Sequence, residues 1–194
     1  MTFQPQDHYF KKAKQMGYRA RSAFKLEMIQ KKFHLISKRD KVLDIGAAPG
    51  SWMQVVLGII GPQGRVVGVD MRAIPSLRDP RAITVCGDIR DDDMQKKIVL
   101  YAPFDVVISD IAPSTTGFKL VDQSQSLGLT HTVQRIALTV LRVGGSLVLK
   151  VFESLEVPDF VRQLQKVYGT VVVYKPRASR AESFEIYIIC TGKI

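Results

Sequence analysis

The sequence predicts an α/β fold: a mostly parallel sheet of seven strands, with helices on both faces and an antiparallel last strand. Three observations carry this. From Lys41 onward, short β-branched runs alternate with longer helical stretches. The runs are apolar almost throughout, as strands buried on both faces are. The last two are separated by only about eight residues, too few for a helical crossover, so they pair antiparallel.

The elements follow in order. RARSAFKLEMIQKKF, near the front, reads as a helix with Ala20, Ala23, Phe24, Met28 and Leu35 on one face. Strand-like runs follow at 41–46, 65–70, 82–88, 104–110, 146–152, 170–175 and 184–191. Helix-like segments lie near 50–60, 91–101, 121–142 and 157–168, with Pro158 suited to a first helical turn. Asp91, Asp92 and Asp93 suit the start of the 91–101 helix, where negative charge meets the helix dipole. At 194 residues, the chain reads as a single domain, 1–194, with 1–40 a basic helical extension.

The net charge of +10 is unevenly placed. Residues 1–41 carry +8, residues 42–174 are neutral, and residues 175–194 carry +2. A basic front on a neutral body points to a polyanionic partner, either nucleic acid or an anionic membrane surface. Lys11, Lys12, Arg19, Arg21, Lys31 and Lys32 form the candidate phosphate-tracking surface, with Arg177 and Arg180 in the last loop beside it. Tyr9, Phe10 and Tyr18 are interleaved with those charges and suit either base stacking or core anchoring.

Other classes are excluded. Cys86 and Cys190 are too few for a disulfide scaffold or a cysteine-rich metal site, and both read as small hydrophobes in strands. His8, His34 and His131 show no ligand spacing, so no metal is expected. No run reaches the roughly 20 apolar residues of a membrane span, and MTFQPQDHYFKK lacks a secretory signal's apolar stretch. A cytoplasmic location is expected.

The strand ends hold the chemistry. In doubly wound sheets the ligand lies outside the carboxyl ends of the strands. Here Asp44 and Gly46, Asp70, Asp88, Asp110 and Lys150 stand at five successive ends. Singly, each suits a helix cap or turn; together they favour a site. The first strand–turn–helix, VLDIGAAPGSW, fits neither the dinucleotide fingerprint nor the phosphate loop. An acid just before the loop repels pyrophosphate and suits a cationic amine. Asp70 is placed for ribose hydroxyls, and Asp88 for an adenine amino group, with a neighbouring amide on the ring. An adenosine that carries an amino acid and no phosphate is S-adenosylmethionine.

DIGAAPGSW, VVGVD, GDIRD and SDIAPSTTG resemble the FtsJ/RrmJ family of RNA ribose 2'-O-methyltransferases, as do GYRARSAFKL and KPRASRAESFEIYII. The resemblance runs from about Asp7 to Gly192. It implies a Rossmann-like S-adenosylmethionine-dependent methyltransferase fold. By motif position it places the family's catalytic tetrad on Lys25, Asp110, Lys150 and Glu185. It assigns the cofactor to Asp44, Gly46, Ala47, Pro49, Gly50, Ser51, Trp52, Asp70, Met71, Asp88, Ile89 and Asp110. Two departures stand out: Ser51 where a second Gly often precedes Trp, and Ser114-Thr115-Thr116 where Asn is frequent.

The chemistry suits these residues. A ribose hydroxyl is a poor acid, so its proton must leave as it attacks. Lysine, with a reference pKa of about 10.4, becomes a useful base when desolvated beside a cation. Lys150 is the expected base, oriented by Asp110 across a strand spacing of about 4.8 Å, with Lys25 and Glu185 tuning the charge. The expected substrate is RNA, first a uridine of large-subunit ribosomal RNA, with a tRNA anticodon loop or a non-catalytic assembly role as alternatives. The expected state is a monomer.

Overall fold

The structure is a computed structural model describing residues 8–180 and 183–194. Asp7, where the resemblance begins, and residues 181–182 of its last motif lie outside that range. The strands are β1 (Lys41–Ile45), β2 (Arg65–Asp70), β3 (Ala82–Cys86), β4 (Phe104–Ser109), β5 (Leu141–Phe152), β6 (Tyr168–Tyr174) and β7 (Glu185–Lys193). The helices are α1 (His8–Gln15), α2 (Ala23–Phe33), α3 (Ser51–Ile59), α4 (Asp92–Val99), α5 (Lys119–Val140) and α6 (Val157–Leu164).

One sheet holds all seven strands in the order β3-β2-β1-β4-β5-β7-β6. The first five pair parallel, and β7 runs antiparallel to both β5 and β6. The chain leaves β1 for β2 on one side and reaches β4 on the other, so the switch point lies between β1 and β4. Strand residues alternate faces. Val42, Val66, Val106, Ile108, Val148 and Ile189 pack with α2 and α3. Leu43, Val67, Val107, Leu147 and Ile188 pack with α4, α5 and α6.

Several boundaries differ from the sequence reading. The front helix starts at Ala23, and a separate α1 precedes it. Residues 19–22 stay non-helical, and there the Arg19 amide donates to the Gln54 side chain at 2.9 Å. The inward face of α2 is Ala23, Phe24, Leu26 and Ile29, whereas Ala20 and Met28 are only half-buried. β5 begins at Leu141, with an irregular register opposite Phe104–Val106. The strand runs on to Phe152, so Lys150 sits two residues inside it rather than at its end. Asp88 and Asp110 lie just beyond β3 and β4. α6 stops at Leu164 because β6 already starts at Tyr168. β6 ends at Tyr174 and β7 begins at Glu185.

Two smaller readings also change. Cys190 is buried as expected, but Cys86 is exposed, its thiol directed at the Met71 carbonyl 3.3 Å away. Asp91 occupies the α4 N-cap without a side-chain capping bond, leaving Asp92 and Asp93 to act through charge in the first turn. Pro158 does sit in the first turn of α6. No helix among the described residues is long and apolar enough to cross a membrane.

The fully buried Leu26 tests the revised helix face. Leu26→Ala is expected to cost about 2–5 kcal/mol in urea denaturation. Lys31→Ala, on the exposed side, should change stability by less than about 0.5 kcal/mol.

Candidate active site

A cavity of about 940 Å³ opens at the carboxyl ends of β1 to β4, where the switch point predicts a ligand. Its floor comes from the turn after β1. Gly46 has φ of +79°, and a Cβ there would lie 2.8 Å from Ile111 Cβ, so only glycine fits. Gly50 has φ of +100° and caps the start of α3. Asp70, ending β2, fixes this turn: its carboxylate accepts the Ala48 amide at 2.9 Å and the Arg72 amide at 2.8 Å. Asp88 is held by Arg90 at 2.5 Å. Those hydrogen bonds keep its carboxyl below the usual range and hence ionised.

Among the expected cofactor residues, Gly46, Ala47, Ser51, Trp52, Asp70, Met71, Asp88, Ile89 and Asp110 line the cavity, while Asp44, Pro49 and Gly50 do not. Trp52 is nearly all core, its indole N–H bonded to the Ser22 carbonyl at 2.8 Å. The cavity wall also includes Arg72 and Arg90, and Gln125, Gly128 and Thr132 from α5. Nothing in the sequence marks those α5 positions.

Asp44 lies behind the wall, 1% exposed, and neither of its oxygens accepts a hydrogen bond. Burial, then the charges of Asp110 and Asp70, push its carboxyl well above the usual range. Three carboxyl groups thus lie near one another at the switch point, and Asp44 has no hydrogen-bond partner among the described residues, an arrangement that suits a cationic ligand.

The tetrad residues gather at the edge of this cavity. Register explains it: directly opposed residues share a face. Ser109 opposes Leu149 in the parallel pair, so Asp110 comes level with Lys150, and Lys150 opposes Tyr187 in β7. Lys150 Nζ lies 3.2 Å from Asp110 Oδ1 and also donates to the Asp110 carbonyl. Two residues before Tyr187, on the same face, Glu185 forms a 2.5 Å ion pair with Lys25 of α2. All four side chains are largely buried.

Tyr187 joins the two pairs and was missed in the sequence reading. Its hydroxyl donates to Asp110 Oδ1 at 2.6 Å, and Lys25 Nζ sits 5.9 Å from its ring centroid. The period-2 step from Glu185 was the signal that would have found it. Burial and the neighbouring Asp110 and Glu185 charges raise its phenol far above the usual range, so it remains a donor.

The basic residues separate. Lys11, Lys12, Lys31, Lys32, Arg177 and Arg180 are exposed, and Arg21 is half-buried. Lys12 lies over the Phe24 ring and Lys32 over Tyr174. Arg19 differs: its guanidinium donates to the carbonyls of Pro49, Pro75 and Ser76 at 2.9, 2.6 and 2.6 Å. It ties the N-terminal segment to the cofactor turn, so its hydrogen bonds are spent inside the protein. Among the described residues, no cluster of His, Cys, Asp and Glu is arranged to hold a metal ion.

The profile of one family, described as FtsJ-like methyltransferase, matches residues 18–193. The chain belongs to that family. Ribosomal RNA large subunit methyltransferase E of Myxococcus xanthus is 43% identical over 189 residues, covering 96% of this chain and 89% of that protein. The protein of the same name from Bdellovibrio bacteriovorus is 38% identical, with both chains fully covered. A Plasmodium falciparum structure described as a ribosomal RNA methyltransferase superposes with a TM-score of 0.80 at 26% identity, over 91% of this chain and 98% of that one. Fibrillarin of Aeropyrum pernix, with bound S-adenosylmethionine, shares the fold at a TM-score of 0.62 and 20% identity, over 88% of this chain and 76% of that one.

This FtsJ-like enzyme is a methyltransferase that uses S-adenosylmethionine. The site fits that cofactor, since the buried Asp44 carboxyl, which accepts no hydrogen bond among the described residues, and the Asp70 carboxylate at the wall suit a ligand bearing an ammonium and a sulfonium. Asp70 and Asp88 line the cavity wall.

The cofactor-free enzyme should show Asp44 in its pH dependence. A carboxyl raised in the folded state stabilises below its unfolded pKa, about 3.9, and loses that contribution as pH climbs towards the raised value. The urea midpoint of the parent protein should therefore fall with rising pH relative to Asp44→Asn. Parallel profiles would show that Asp44 is not raised.

Proposed function

We propose that the protein transfers the methyl group of S-adenosylmethionine to a ribose 2'-hydroxyl in RNA. The observation that carries this reading is the hydrogen-bonded Lys150–Asp110 pair, 3.2 Å apart, at the edge of the cofactor cavity. Bound, the cofactor supplies an electrophilic methyl on sulfur.

Lys150 is the general base. A neutral amine has two N–H donors and one lone pair, and Asp110 offers two acceptors, its carboxylate and its carbonyl. Both donors therefore stay satisfied while the lone pair takes the hydroxyl proton. The ammonium that forms is then paired with Asp110. Asp110 in turn is held by Tyr187. Lys25 and Glu185 form the second buried pair across the Tyr187 ring and hold the ribose. Asp44, Gly46, Ala47, Pro49, Gly50, Ser51, Trp52, Asp70, Met71, Asp88 and Ile89 form the cofactor site, some through the wall and some from behind it.

The proposed substrate is a uridine of large-subunit ribosomal RNA. Relatives 38–44% identical over nearly the whole chain bear the name Ribosomal RNA large subunit methyltransferase E. RNA tracks from α1 and α2 across the strand ends to the 175–180 loop, through Lys11, Lys12, Arg21, Lys31, Lys32, Arg177 and Arg180. We place the enzyme in the cytoplasm, acting as a monomer.

Lys150→Ala should abolish methyl transfer while S-adenosylmethionine binding, measured by calorimetry, stays within about threefold of the parent. Mapping of 2'-O-methylation in cells lacking the gene should show loss at one large-subunit position. Full activity of Lys150→Ala would remove the base assignment, and an unchanged map would remove the ribosomal substrate.

A further inference from the structure

Two phenylalanines stand exposed beside the tetrad. Glu185 is preceded directly by Phe184, whose ring is 50% exposed. Its backbone is fixed all the same, because its carbonyl accepts the Glu153 amide at 2.8 Å. Asp110 leads into the loop that lines the cavity and ends at Phe118, 73% exposed. That loop is also held. The buried Asp122 carboxylate accepts the Thr116 amide at 2.7 Å, the Thr116 hydroxyl at 2.8 Å and the Gly117 amide at 3.2 Å. Lys119 follows Phe118 directly, and its Nζ lies 4.4 Å from the Phe184 centroid.

Each acidic member of the tetrad is thus linked along the chain to an exposed ring, Glu185 to Phe184 just before it and Asp110 to Phe118 at the end of its loop. Lys119 joins the two segments through its contact with Phe184. We propose that Phe118, Lys119 and Phe184 form a stacking platform for an unpaired nucleobase of the RNA substrate. This deepens the RNA reading above and rests on it.

The chemistry matches. A ribose hydroxyl reaches Lys150 only when its nucleotide is drawn out of a helix or loop. Its base then loses its stacking partners, and aromatic rings replace them. The lysine covers part of one ring and brings positive charge to the neighbouring phosphate. A protein seated on these rings would cover the mouth through which the ribose must enter, so an RNA base is the better occupant. Stacking accepts any base, so the platform governs how tightly an extruded nucleotide is held, not which base it is.

The test uses the full-length enzyme, large ribosomal subunits from cells lacking the gene, and the naked ribosomal RNA extracted from them. In the Phe118→Ala, Phe184→Ala double variant, kcat/KM on both RNAs should fall about ten- to hundredfold, chiefly through KM. The cofactor Kd and the melting temperature should stay at parental values. Phe184→Tyr alone should keep most of the parental kcat/KM. Parental kcat/KM in the double variant would overturn the platform alone. Loss on assembled subunits but not on naked RNA would also overturn it, marking the rings as a protein contact. A parent enzyme inactive on both RNAs would overturn the RNA reading, and the platform with it.

Discussion

The side-chain register across β4, β5 and β7 is the constraint on which the site depends. Asp110 follows β4, Lys150 lies within β5, and Tyr187 and Glu185 lie in β7, so three strands must agree before the four side chains share a face. A slip of one residue turns every side chain of a strand to the opposite face. The core prevents that slip. Val148 and Ile189 are buried on the tetrad's face, and Leu147, Leu149 and Ile188 on the other. The same packing that holds the sheet together therefore sets the distance between Lys150 and Asp110. The antiparallel insertion of β7 between β5 and β6 matters for the same reason, since it brings Glu185 to the end of the sheet where Asp110 emerges.

Two buried ion pairs so close together are poorly explained by stability. Removing a charge from water costs several kcal/mol, and a buried pair often does no more than recover it. Lys25 shows how the arrangement is nonetheless sustained. It lies on the buried side of an otherwise apolar helix face, next to Leu26 and Ala23, where a lone lysine would be costly. Glu185 at 2.5 Å and the Tyr187 ring give it a charged and an aromatic partner. The basic front of the chain thus divides in two. Lys25 is drawn inside to pair with Glu185, and Arg19 is spent on three carbonyls, one of them in the turn after β1. Lys11, Lys12, Lys31 and Lys32 stay exposed on the same segment.

Much of this was legible in the sequence because it is written in short-range pattern. The apolar runs gave the strands, the eight-residue gap gave the antiparallel end, and the acids after each run marked the cavity at Asp70, Asp88 and Asp110. What was not legible depends on long-range geometry. Nothing local says that Arg19 will meet Pro75 and Ser76, more than fifty residues away. Nor does the pattern of α2 show that Leu26 and Ile29, rather than Ala20 and Met28, face the core; that rotation is fixed by the partner surface on α3 and the sheet. Tyr187 was hidden for a different reason. It reads as an ordinary strand aromatic, and only the position of Asp110 across the sheet gives its hydroxyl a task.

Asp110 finally links the two halves of the site. After burial, its charge is the next cause that raises the Asp44 carboxyl above the usual range, and its oxygens also hold Lys150 and Tyr187. A cation brought near Asp44 would ease the repulsion among Asp44, Asp70 and Asp110. Any change in the ionisation of Asp44 then alters the field felt by the Asp110 carboxylate that pairs with Lys150. The Asp44 side and the Lys150 side of the site are therefore not independent. They are coupled through one side chain, in a buried region where charges are screened far less than at the surface.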